Sequence, residues 1–182
     1  MLVLRPLRSY PANLSKLPKI QLSHVEMSEI SGIATSKINP SFLWAHNDSG
    51  ANPDLYLINQ KAELVAQFRL VDVSAIDWED VAVAACASDS EKACIYIGDF
   101  GNNSFNRADL KIIVVEEPDL QRIDIQNQEI IELKSREIIN YRYPDPSVED
   151  TPLEVSNPDA ESLMVHPTEA KIYVVSKRMN GG

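Results

Sequence analysis

Three glutamates recur at one phase of a repeated unit. Glu29 opens Glu29-Ile30-Ser31-Gly32-Ile33-Ala34, Glu79 opens Glu79-Asp80-Val81-Ala82-Val83-Ala84, and Glu161 opens Glu161-Ser162-Leu163-Met164-Val165-His166. Each unit passes through a turn into a second apolar run, begun by an aromatic residue (Trp44, Tyr96 or Tyr173) and ended by a polar one (Asn47, Asp99 or Ser176). Carboxylates brought to one place repel, and they require a cation, an Arg or Lys, or shared protons. Sets of Glu, Asp and Asn oxygens are what Ca²⁺ accepts, at about six to eight ligands. The candidate ligands are Glu29, Asn47, Glu79, Asp99 and Glu161, with further oxygens from Asp48, Asp80, Asn102 and Asn103 in adjacent turns. Zinc and copper fit poorly: the histidines are His24, His46 and His166, and no Cys/His spacing matches a site.

The same residues admit a structural reading. Asp77-Trp78-Glu79-Asp80 can be a corner whose carboxylates cap backbone N–H groups. Asp99-Phe100-Gly101-Asn102-Asn103 and His46-Asn47-Asp48-Ser49-Gly50 can be tight turns, since Gly and Asn accept positive φ. The glutamates can pair with Arg107, Lys177 or Arg178. His46 beside Asp48 has the makings of a general base with an orienting carboxylate, although a histidine among apolar strand residues is more often packed. There is no Gly-x-Ser-x-Gly elbow and no Gly-rich phosphate loop.

The elements that must position these groups read as strands. Runs rich in Val, Ile and Tyr are short and separated by turn residues, with 6 Gly and 11 Pro in the chain. Residues 1–17 lack a clear period and read as an irregular arm; residues 18–182 read as one domain. Lys19–Val25 alternates as a half-buried strand does. A four-stranded meander follows: Ser31–Ser36, Phe42–His46, Leu55–Ile58 and Leu64–Leu70. A second comprises Val81–Ala87, Cys94–Gly98, Lys111–Val115 and one long bent strand over Ile130–Tyr143. A helix over Leu120–Ile139 competes, but its isoleucines fall in pairs and alternations. Pro144–Pro158 reads as an exposed loop. Leu163–Val165 and Ile172–Val175 begin a third unit.

Meanders repeated at this spacing predict an all-β chain, a β-propeller fragment of about two full four-stranded blades plus half of a third. One blade cannot bury both faces alone, so blades stack around an axis. The strand at Lys19–Val25 is expected to complete a last blade from the other terminus, and the propeller is expected to be cut short at its C-terminal end. The alternative is a β-sandwich of the same hairpins.

Composition sets outer limits. The 182 residues are 44% hydrophobic and 24% charged, ordinary values for a globular chain. The formal charge of −10 argues against a nucleic-acid or anionic-membrane partner. No apolar run approaches the ~20 residues of a membrane span, and Met1–Pro6 is too short an apolar start for a signal. Cys86 and Cys94 flank a polar turn; a disulfide and a pair of buried thiols both fit.

The motif order is familiar. Glu29-Ile30-Ser31-Gly32, Leu43 to Gly50, Asp77-Trp78-Glu79-Asp80, Gly98 to Asn103, Glu117-Pro118, Tyr143-Pro144-Asp145 and Ala160-Glu161-Ser162-Leu163 together resemble a group of bacterial WD40-like β-propeller proteins. More distantly, the layout is similar to calcium-dependent six-bladed propellers of the lactonase and gluconolactonase types. That resemblance implies a channel calcium held by Glu29, Asn47, Glu79, Asp99 and Glu161, and the first group's habit of export implies an extracytoplasmic location. Two functions follow as expectations. One is a binding or scaffold propeller, for a small-molecule or protein ligand, with a held calcium. The other is a metal-dependent hydrolase of esters, lactones or phosphoesters, with Ca²⁺ as Lewis acid.

Overall fold

The computed structural model describes residues 24–143, 157–167, 169 and 171–177. Among these the chain is all-β, with two short 3-10 turns, at Val25–Met27 and Leu120–Arg122. The strands are β1 (Ile30–Thr35), β2 (Phe42–Asn47), β3 (Asp54–Asn59), β4 (Leu64–Leu70), β5 (Trp78–Cys86), β6 (Asp89–Asp99), β7 (Lys111–Glu116), β8 (Ile131–Leu133), β9 (Glu137–Asn140), β10 (Ala160–Val165) and β11 (Ile172–Ser176). They form three sheets in the orders β1-β2-β3-β4-β8, β5-β6-β7-β9 and β10-β11. No described helix is long and apolar enough to cross a membrane.

Local chemistry explains the strands. In β4, Ala66, Phe68 and Leu70 are buried and the residues between them are partly exposed, the period-2 pattern of a pleated strand. The β3–β4 turn is held by Asn59, whose Oδ1 accepts the N–H groups of Lys61 and Glu63 at 2.9 and 3.0 Å. The central run of β6, Cys94 to Asp99, is buried throughout because its sheet is covered on both sides. On one face Val81, Ile95, Ile97, Ile113 and Val115 meet Trp44, Leu55, Leu57 and Phe68 of the first sheet. On the other, Ala84, Cys94, Tyr96 and Val114 meet Leu163 and Val165 of the third. Each Val, Leu, Ile or Phe among them, fully buried, contributes roughly 1.5–3 kcal/mol.

The leading strands β1, β5 and β10 lie together, with β5 packed against both others. All three carry a bulge at the same level, where Ser31, Glu79 and Glu161 are the extra residues. Aligned on these bulges, Trp44, Tyr96 and Tyr173 are equivalent, opposite Ala34, Ala82 and Met164. Trp44 packs toward the second sheet and Tyr96 toward the third. Tyr173 is 42% exposed, and its neighbours on that face, Met164 and Val175, are more so. Val81 and Leu163 are buried between sheets, whereas the equivalent Ile33 is 53% exposed. The stack is thus apolar at both open ends among the described residues. It has three sheets rather than the two of a sandwich.

Two expectations change. The long bent strand over Ile130–Tyr143 divides into β8 and β9, which belong to different sheets. β8 runs parallel to β4 in the first sheet, and β9 antiparallel to β7 in the second. The crossing is fixed by Asp72, which accepts the Ser135 N–H at 3.0 Å and its hydroxyl at 2.8 Å, and by the Arg136 N–H donating to the Val114 carbonyl at 2.7 Å. At the other end, His24 and Val25 do not continue a strand. His24 caps the first 3-10 turn by accepting the Glu26 N–H. Residues 19–23 of that expected strand, the arm 1–17 and residues 144–156 of the expected loop lie outside the described residues.

Of the two cysteine readings, the structure has the disulfide, Cys86–Cys94, closing the β5–β6 hairpin. A second tie joins the first two sheets. The buried Glu117 carboxylate accepts from the Ser36 hydroxyl, from Trp44 Nε1 at 2.9 Å, and from the N–H groups of Lys37 and Ile38. Glu117→Ala strands several buried donors and is expected to lower the unfolding free energy by about 3 kcal/mol. Replacing both cysteines by alanine is expected to cost about 2–3 kcal/mol through the unfolded chain. Urea denaturation of each variant measures both.

Candidate metal centre

The bulges decide which acidic groups meet. Glu79 and Glu161 are bulge residues, and an aspartate stands two positions before each, Asp77 and Asp159. Asp48 follows β2 directly. Two triads result, Asp48 with Asp77 and Glu79, and Glu79 with Asp159 and Glu161. In each, one carboxylate oxygen per residue lies within 4.8 Å of the others. Glu79 belongs to both.

The surroundings of the two triads differ. Asp159 and Glu161 share the Lys177 ammonium, at 2.8 and 2.5 Å. Asp159 also accepts the Asn102 N–H at 2.6 Å. In the first triad, Asp48 accepts the N–H of Ser49 at 2.6 Å. The Glu79 carboxylate has neither a hydrogen bond nor an ion pair among the described residues, although Glu79 is only 7% exposed. Gly101 presses its backbone against this triad: a Cβ there would lie 2.2 Å from Glu79 Oε1 and 2.4 Å from Asp77 Oδ2. A side chain at position 101 would push both carboxylates aside.

Burial and the other carboxylates act together on Glu79. Desolvation first, then Glu161, Asp77, Asp48 and Asp159, push its pKa from 4.5 to about 8. Asp77 is raised for the same reasons, burial foremost. Lys177 is raised by its hydrogen bonds to Asp159 and Glu161.

The sequence candidates are placed as follows. Glu79, Glu161 and Asp48 come together. Glu29 does not join them: it is exposed and stands two residues before the Ser31 bulge, level with Asp77 and Asp159. Its backbone accepts the Asp48 N–H at 2.9 Å. Asn47 is engaged with Glu26 O, Tyr56 and the Glu29 N–H. Asp99 is fully buried between Arg107 at 3.0 Å and Lys111 at 3.2 Å, and so is already neutralised. Asp80 ties sheets, accepting the N–H groups of Val81 at 2.8 Å and Leu163 at 2.7 Å. Asn102 binds Asn157 O and the Arg107 N–H, and Asn103 meets Lys177 at 3.3 Å. Sequence reasoning did not single out Asp77 or Asp159 as ligands. The available signal was a repeated Asp-x-Glu, at Asp77-Trp78-Glu79 and Asp159-Ala160-Glu161.

An all-oxygen, carboxylate-rich set suits a hard cation such as Ca²⁺ or Mg²⁺ rather than zinc or copper. His46 takes no part. It is fully buried, its ring packs edge-on to Trp78 at 5.7 Å, and burial lowers its pKa. Comparison of the chain with protein-family models, curated proteins and solved structures gives no match.

The raised pKa has a definite sign. Between pH 4.5 and about 8 the folded chain holds a proton on Glu79 that the unfolded chain releases, so the Glu79 contribution to cation-free stability falls as pH rises through that window. His46 acts oppositely, because its lowered pKa favours folding as pH rises. The difference between wild type and Glu79→Gln isolates the first effect. Urea midpoints measured with chelator from pH 5 to 8.5 are expected to show Glu79→Gln gaining on wild type as pH increases.

Proposed function

We propose that the chain is part of a β-propeller acting as a binding domain, with a hard cation, calcium, held by Asp48, Asp77 and Glu79. Three sheets with bulges at one level, stacked through equivalent aromatics and led by neighbouring strands, support the propeller reading. The observation that carries the cation reading is the Glu79 carboxylate. It is buried, lacks a donor among the described residues, and faces four other carboxylates. Without a cation Glu79 keeps a proton up to about pH 8 instead of carrying an uncompensated buried charge, and a bound cation lets it ionise beside the other carboxylates.

The binding reading is preferred to hydrolysis because no histidine or cysteine lies in either triad and His46 is packed away. Calcium at about 100 times its dissociation constant adds roughly 2.7 kcal/mol of stability, or roughly 5–10 °C in Tm for a chain of this size. Calorimetric melting is expected to show that rise, its reversal by chelator, and its loss in Glu79→Gln. An unchanged Tm in wild type would remove the cation from the account. Calcium-dependent turnover of an ester or lactone panel, abolished by Glu79→Gln, would replace the binding reading by the hydrolytic one.

A further inference from the structure

The first and third units each place a charged residue directly after the second strand, close to the carboxylates. In the first unit that residue is Asp48, and in the third it is Lys177. Their backbones are equivalent: the Asp48 N–H donates to Glu29 O, and the Lys177 N–H donates to Asp159 O, both at 2.9 Å. One unit therefore supplies a carboxylate where another supplies an ammonium. That ammonium is ringed by Asp159 Oδ2 at 2.8 Å, Glu161 Oε1 at 2.5 Å and Asn103 Oδ1 at 3.3 Å. These are oxygen partners of the kind a hard cation takes. The first triad has no Lys or Arg within ion-pair distance among the described residues, and Glu79, which belongs to both triads, is 7% exposed and has no hydrogen bond or ion pair among them.

From this we infer that Lys177 is a tethered cation filling the second of two adjoining cation pockets, so that the centre takes one divalent ion, in the Asp48–Asp77–Glu79 pocket. The inference rests on the cation reading of the preceding section and adds its stoichiometry and its determinant. Removal of the ammonium leaves Glu79, Asp159 and Glu161 as a second set of carboxylates sharing a bridging residue with the first, as in two-metal sites. A neutral side chain at 177 thus converts a one-ion centre into a two-ion centre.

Isothermal titration of the full chain with calcium chloride tests this. Wild type and Lys177→Arg are expected to bind one ion, and Lys177→Met two. Lys177→Met combined with Asp77→Asn is expected to return to one. Lys177→Gln serves where the methionine variant does not fold. If both neutral variants fold only in calcium, a dependence of refolding on two ions supports the inference and a dependence on one overturns it. Two ions in wild type, or one in a folded Lys177→Met, overturns it while leaving the cation reading intact. No binding to wild type overturns both.

Discussion

A strand that carries one residue more than its partner must turn a side chain out of the regular pleat, and here three neighbouring strands do so at the same level. Ser31, Glu79 and Glu161 are those residues. Because β5 packs against both β1 and β10, whatever the bulges carry is gathered into one small volume. The sheets stack for apolar reasons, through Trp44 on one interface and Tyr96 on the next. The charge at the edge of the stack follows from that packing. Hydrophobic burial holds together groups that Coulomb repulsion would separate.

The chain deals with its buried carboxylates in two ways. Most are satisfied from within. Asp99 lies between Arg107 and Lys111, Glu117 collects donors from Ser36 to Trp44, and Asp54 is bound by Arg69 and Gln67, while the half-buried Asp80 takes two backbone amides. These groups fix the angles between sheets and the ends of strands. Glu79 differs in kind. It sits at the shared corner of two triads and draws no donor from the described residues. The contrast separates acidic residues that build the fold from one without a donor among the described residues.

Much of the strand order was legible because alternation and turn chemistry are local. The first meander lies within a residue or so of its expected bounds, since Asn59, Gly50 and Asn39-Pro40 mark its turns. The repeat and its aromatic position were legible too. The phase of the acidic residues was not. A bulge leaves no mark in composition, so aligning Glu29 with Glu79 and Glu161 placed the first unit two residues out of step. Asp77 and Asp159 were hidden by the same shift, since the true correspondence is Glu29 with these aspartates. The crossing at Lys134–Arg136 was also invisible: the isoleucine pattern reads as strand on both sides and does not say that the two halves join different sheets.

That crossing has a mechanical consequence. Residues 131–140 stitch the first sheet to the second far from the leading strands, while the Ser31 hydroxyl, donating to Glu79 O at 2.9 Å, stitches them at the leading strands. Asp48 rides on one sheet, and Asp77 and Glu79 on the other. With ties at both edges, a hinge motion between the two sheets is opposed, and the gap between these oxygens is set by how the sheets pack. Under the proposed cation reading, such a span favours ions by radius as well as by charge: an ion too small to touch both walls gains only part of the set.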